Sequence, residues 1–170
     1  MTTKTTIRVL TTAIIACAIL LGTAPPRLSA ENEIASFKTV RLLTLDDAQR
    51  ISDAAMARAA KDKWDVAIVI VDAGGHLVSL RRMDGTQLGS IDIATRKAIS
   101  AVEFKRPTKA LQDLIAEDGL TFVLSLPNVT AVEGGLPILH NGHVIGAIGI
   151  SGATAAQDGI IAAAGLQNFR

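Results

Sequence analysis

Asn141-Gly142 stands between two apolar runs, Ile138 to His140 and His143 to Ser151. A two-residue connection of this kind needs positive φ at both central positions, which asparagine and glycine supply at little cost, so it predicts a type I′ hairpin. A second pair of runs, Val66 to Val71 and His76 to Arg82, is joined by the turn cluster Asp72-Ala73-Gly74-Gly75. Two hairpins commit the chain to an antiparallel sheet. They exclude the doubly wound parallel sheet, whose neighbouring strands need crossover connections.

Helical spacing fills the intervals. Thr44-Leu45-Asp46-Asp47 places an acid three residues after a threonine N-cap. Leu45, Ala48, Ile51, Ala55 and Ala59 then recur on one face, and this helix should end near Lys63. Ser90 is expected to cap a second helix to about Phe104, and Thr108 a third through Ile115, stopped by Asp118-Gly119. A short apolar run, Thr121 to Leu126, leads to Pro127, and Glu133-Gly134-Gly135-Leu136-Pro137 reads as a tight loop. Thr154 caps a last helix through Phe169, with Gln157 in the capping-box position. The order is helix, hairpin, two helices, hairpin, helix: an α/β (α+β) domain.

The front of the chain reads differently. Residues 1–30 carry no acid, and Lys4 and Arg8 precede an apolar run from Val9 to Leu21. Gly22 to Pro26 and a small-residue exit at Ser29-Ala30 follow, the order of an export signal. The run is shorter than the about 20 residues of a comfortable membrane span. The competing readings are an uncleaved anchor and a lipoprotein signal at Ile14-Ile15-Ala16-Cys17. Against lipidation, the apolar run continues past Cys17, and Leu28 leaves the cleavage point open. The expected organisation is a signal peptide over 1–30, an N-terminal extension over 31–42 and one domain over 43–170, working in the periplasm or outside the cell.

That removal has chemical consequences. Cys17 is the one cysteine, so the remaining chain has no disulfide and no thiolate metal site. Of 17 basic residues three lie in 1–30, leaving 14 against 16 acidic ones. A net charge of about −2 gives no support for nucleic-acid binding. Tyrosine is absent and aromatics are few, which argues against stacking platforms. The glycines fit no nucleotide pattern: Gly146, Gly149 and Gly152 are three apart on a strand, and no Walker loop is present. Gly149-Ile150-Ser151-Gly152 also misses the nucleophile elbow.

The three histidines all stand at strand ends. His140 and His143 flank the turn, so they face each other across the ladder and can reach one metal or a haem iron, or else sit solvated at the tip. His76 follows the Gly74-Gly75 turn. Asp72, Asp84 and Glu133 adjoin glycine turns; turn chemistry accounts for the aspartates, and Glu133 is the candidate general base. Arg81, Arg82, Lys97, Lys105, Arg106 and Lys109 can meet an anion such as a carboxylate or a haem propionate, or form a solvated surface.

Ordered motifs cover Leu43 to Phe169. They are Asp72-Ala73-Gly74-Gly75-His76-Leu77-Val78, Arg82-Met83-Asp84-Gly85, Ser90-Ile91-Asp92-Ile93-Ala94 with Lys97-Ala98, Arg106-Pro107-Thr108-Lys109-Ala110-Leu111, Glu133-Gly134-Gly135-Leu136-Pro137, and Gly146 to Gly152. This string resembles the GlcG/HbpS family of haem-binding proteins. The resemblance implies a profilin-like fold, an antiparallel five-stranded sheet with helices packed around it, and oligomers, commonly octamers. It also implies binding of haem or iron, sometimes haem breakdown, and in one extracellular member a sensor-kinase partner. A related domain ends the PduO corrinoid adenosyltransferases. The resemblance assigns haem binding to Thr108, with Arg106 less secure. Relatives that ligate haem by histidine from the first helix are not matched here: Met56 is the one soft ligand on that helix, and the role is not carried over.

The leading expectation is therefore an exported, oligomeric haem- or iron-binding protein acting in haem sequestration, sensing or degradation. Thr108 would lie near the iron, His76 or the His140/His143 pair would ligate it, and Arg82 or Lys109 would pair with propionates. The alternative is an enzyme acting on a small carboxylate, with Glu133 as base and Arg82 or Lys97 as anion anchor. A third reading is a structural interaction module. No nucleic-acid partner is expected, and no membrane association after signal cleavage.

Overall fold

The computed structural model describes residues 40–169; the expected signal peptide over 1–30, most of the 31–42 stretch and Arg170 lie outside the described residues. The elements are α1 (Leu45–Asp62), β1 (Ala67–Asp72), β2 (Leu77–Arg82), α2 (Ser90–Glu103), α3 (Thr108–Ala116), a 3-10 segment (Thr121–Ser125), β3 (Gly135–His140), β4 (His143–Ser151) and α4 (Ala155–Leu166).

The strands form one antiparallel sheet in the order β2-β1-β4-β3. Both hairpins form, and Asn141 and Gly142 have φ of 49° and 75°, the positive pair a type I′ turn requires. The sheet has four strands among the described residues, not five. The apolar run before Pro127 winds into the 3-10 segment, where Val123 alone turns inward and is 2% exposed. Such short pieces bury one side chain per turn and have no room to join a ladder before the proline.

Alternation along the strands makes two cores. Ile68, Ile70, Ile148 and Ile150 face α1 and α4, whose Ile51, Ala55 and Ile161 close over them. Ala67, Val69, Val71 and Ala147 face α2 through Ala94, Ala98 and Ala101. The result is three layers. The alanine stripe brings the α2 backbone against β4, where a side chain on Gly149 would overlap the Ala94 carbonyl and stand 2.7 Å from Ala98 N.

Thr44 and Thr154 cap as expected, each closing a capping box with Asp47 or Gln157. Ser90 and Thr108 do not cap: Gly89 and Pro107 hold those positions, and both side chains are buried. α4 stops at Leu166 rather than Phe169, and β3 begins at Gly135, inside the stretch read as a loop. Pro137 is tolerated there because β3 is an edge strand.

Candidate functional site

Four of the predicted residues meet at one corner of the sheet, where β3 begins. Gly134 has φ 128° and its carbonyl accepts from Ile150 N–H at 2.9 Å. A methyl group on Gly134 would stand 2.8 Å from Lys97 Nζ, Asp158 Cβ and Ile150 O. Only a glycine leaves room here for Lys97, from α2, to reach Asp158, from α4, at 2.7 Å. The pair joins helices that cover opposite faces of the sheet, and Lys97 and Asp158 are 1% and 2% exposed. Burial pushes the Asp158 carboxyl above its usual range; the Lys97 ammonium and the Ala153 N–H pull it back without cancelling the rise.

Thr108 is fully buried against the next residue. Its Oγ1 accepts from Gly135 N–H at 2.9 Å and lies 3.5 Å from the Gly135 carbonyl. The threonine thus fastens α3 to the first residue of β3. Glu133 is half-buried; its N–H donates to Gln112 Oε1 at 2.9 Å, and its side chain lies against Gly159. Lys109 is exposed and paired with Asp113 at 2.7 Å. That hydrogen bond and the nearby carboxylates, Glu133 among them, raise its affinity for the proton.

The histidines occupy the opposite end of the sheet. His140 and His143 are cross-strand partners, as their spacing implies. The His140 Nδ1 lies 3.4 Å from Arg41 Nη1, and His143 Nδ1 is 2.9 Å from the Asn141 carbonyl. His76 is exposed, its Nδ1 3.3 Å from Asp72 Oδ1. Asp72 closes that turn by accepting from the N–H of His76 and of Gly74, which hold its carboxyl below the usual range. Among the described residues no group of three or more His, Cys, Asp or Glu side chains is placed to hold a metal ion. The length of β3 separates the His140 tip from the Thr108 corner, about 17 Å at the rise of a strand. Within one chain the threonine and the histidine pair therefore cannot reach the same iron.

Arg82 is exposed on β2, the edge strand farthest from β3. Three strand spacings, about 14 Å, separate it from the Glu133 corner. Met56 packs against the larger core.

Sequence reasoning missed Asp158 and Gln112. A signal for the first was present: Asp158 is the one charged residue of α4, whose only other polar side chain is the capping Gln157, and Lys97 lies on the alanine stripe of α2. A charge on each of two buried faces points to a pair.

The geometry defines a class first: a small three-layer α/β domain on one antiparallel sheet, with its polar residues gathered at strand ends rather than in a phosphate-binding loop. The chain belongs to the HbpS-like family, whose model, described as a haem degrading protein, matches residues 43–167. Protein GlcG of Escherichia coli K12 is 38% identical over 114 residues, 67% of this chain and 84% of GlcG. The crystal structure of a double mutant of Streptomyces reticuli HbpS superposes with a TM-score of 0.73 at 30% identity, covering 86% of this chain and 98% of that one. A crystal structure of a PduOC–haem complex matches with a TM-score of 0.68 at 30% identity, over 75% and 94% of the two chains.

Proposed function

We propose that this protein is an exported, oligomeric haem-binding protein that takes up haem for sequestration, sensing or breakdown. The observation that carries the reading is the family match across nearly the whole domain, together with a relative of the same fold crystallised with haem. The His140/His143 tip offers two imidazoles; Arg41, beside His140, is already paired with Asp47 at 2.8 Å, so the imidazoles are the groups this tip has for a ligand. Thr108 acts on haem binding through position: its hydroxyl is occupied by Gly135, so it holds α3 and the basic residues Lys105, Arg106 and Lys109 in place.

The small-carboxylate enzyme has less support. Lys97 is committed to Asp158 inside the protein, Lys109 to Asp113, and Arg82 stands on the other sheet edge, so none of these cations is free beside Glu133.

Hemin titration followed in the Soret region tests the reading. A saturable, stoichiometric shift is expected. Replacing His140 and His143 by alanine should move the Soret maximum, whereas Thr108→Ala should weaken binding and Thr108→Ser should restore it. A spectrum no different from that of a control protein would refute haem binding.

A further inference from the structure

Three connections meet at the end of the sheet away from the hairpin turns: α1 to β1, β2 to α2 and β4 to α4. Between them lies an open cavity of about 490 Å³, whose wall includes Lys63, Asp65, Gly85, Gln87, Gly152 and Gln157. None of these six residues belongs to either core or to the Lys97–Asp158 pair.

Two of them depart from what the backbone asks for. Lys63 ends α1 at φ 58° and ψ 43°, the left-handed conformation that usually falls to glycine. A lysine there gives up stability that a glycine would keep. The helix dipole does not require it, because Lys61 already lies in the last turn. Gly85 is the converse case. Its φ is not positive, so its conformation does not call for glycine. What calls for glycine is space: a side chain on Gly85 would overlap the Asp65 carboxylate, and one on Gly152 would overlap the Asp65 carbonyl. The two glycines seat Asp65 from both sides. The carboxylate given this room is then left unused. Among the described residues neither the Asp65 carboxylate nor the Lys63 ammonium has an ion-pair or hydrogen-bond partner, and the two do not pair with each other.

We propose that this cavity binds a free α-amino acid as its zwitterion, with the ligand ammonium on Asp65 and the ligand carboxylate on Lys63. Opposite charges that border one cavity without closing on each other match a small molecule that carries both. The ligand side chain meets amides. Gln157 Oε1 accepts from Thr154 N–H at 3.0 Å, which leaves its NH₂ group to donate, and Gln87 is exposed on the opposite connection. That wall favours a polar amino acid over an apolar one. The volume lies in the lower part of the range for small-molecule sites, about 300–1,000 Å³. Haem is a dianion, and the unpaired Asp65 carboxylate opposes it, so this site is separate from the proposed haem function.

Calorimetric titration of the full protein with each of the common L-amino acids tests the inference. At least one polar amino acid should bind, one per chain. Its N-acetyl form, which lacks the ammonium, and its carboxamide, which lacks the carboxylate, should each bind at least about tenfold more weakly. Asp65→Asn and Lys63→Met should weaken binding by a similar factor. Lys63→Gly separates a ligand role from a structural one: it should raise the Tm of the free protein and lose binding together. Hemin titration of these variants should match that of the wild type. Absence of binding by every amino acid at millimolar concentration overturns the inference and leaves the haem reading standing. Binding that Asp65→Asn and Lys63→Met leave unchanged overturns it as well. Loss of the hemin-induced Soret shift in the same variants would assign the cavity to haem instead.

Discussion

Removing one partner of the Lys97–Asp158 pair should be the most damaging polar substitution in this domain. Lys97 and Asp158 are 1% and 2% exposed and 2.7 Å apart, so neither has water to replace the other. Breaking such a pair typically costs about 3–5 kcal/mol. For a domain of this size that is a fall in Tm of about 10–20 °C. The two single variants should differ with pH. Asp158→Asn leaves an ammonium without a counter-charge and should be weak across the neutral range. Lys97→Met leaves a carboxyl that burial already pushes upward and that then loses its main stabilising partner. An acid whose folded pKa lies above its unfolded one binds more protons when folded, so stability rises as pH falls through that window. Lys97→Met should thus recover part of its loss between neutral pH and a pH near the ordinary carboxylate range. Urea unfolding at both pH values measures this. The double variant Lys97→Met/Asp158→Asn should lose much less than the two single losses combined. An Asp158→Asn protein within about 1 kcal/mol of wild type, or additive losses in the double variant, would refute the reasoning.

Other substitutions probe the same corner and the acid limb. Thr108→Val leaves the buried Gly135 N–H without its acceptor and should cost about 1–3 kcal/mol in urea unfolding, with Thr108→Ser close to wild type. Gly134→Ala puts a methyl group 2.8 Å from the ammonium and from a backbone oxygen, at a φ that side chains avoid; it should destabilise, and Asp158→Asn added to it should cost much less than in the wild type, a non-additivity that a double-mutant cycle reads. Asp47 is pushed up by burial, but hydrogen bonds within the Thr44 cap and the charges of Arg50 and Arg41 outweigh this and hold it below its usual value. Its contribution is therefore present above the ordinary carboxylate range and lost as pH falls through the lower folded value, so Asp47→Asn should flatten the acid limb of a stability–pH profile.

The sheet was legible because turn chemistry is local. Asn141-Gly142 needs only its own two residues to set the hairpin, and the register that follows pairs His140 with His143. The capping boxes at Thr44 and Thr154 are equally self-contained. Ser90 and Thr108 carry the same signature but bury their side chains. At Ser90 no partner is found for the hydroxyl, and at Thr108 the hydroxyl finds a backbone 27 residues away, which no local window contains. The five-stranded expectation came from resemblance rather than from the residues, whose two hairpins supply the observed four strands.

The candidate site divides along the same line. Lys97, the neighbours Thr108 and Lys109, and Glu133 come from three separate stretches, yet the glycines at 134 and 135 let α2, α3 and α4 converge on the start of β3. Each motif was visible alone; their meeting depends on backbone approaches that only absent side chains permit. The roles then change. Lys97, read as an anchor for an external anion, already holds one inside the protein, and Thr108, read as a neighbour of iron, holds a strand. The corner is therefore the joint that sets α3 against the sheet. Under the proposed haem-binding function, a substitution there would act through the placement of α3, and Thr108→Ser, which returns a hydroxyl to Gly135, should rescue binding.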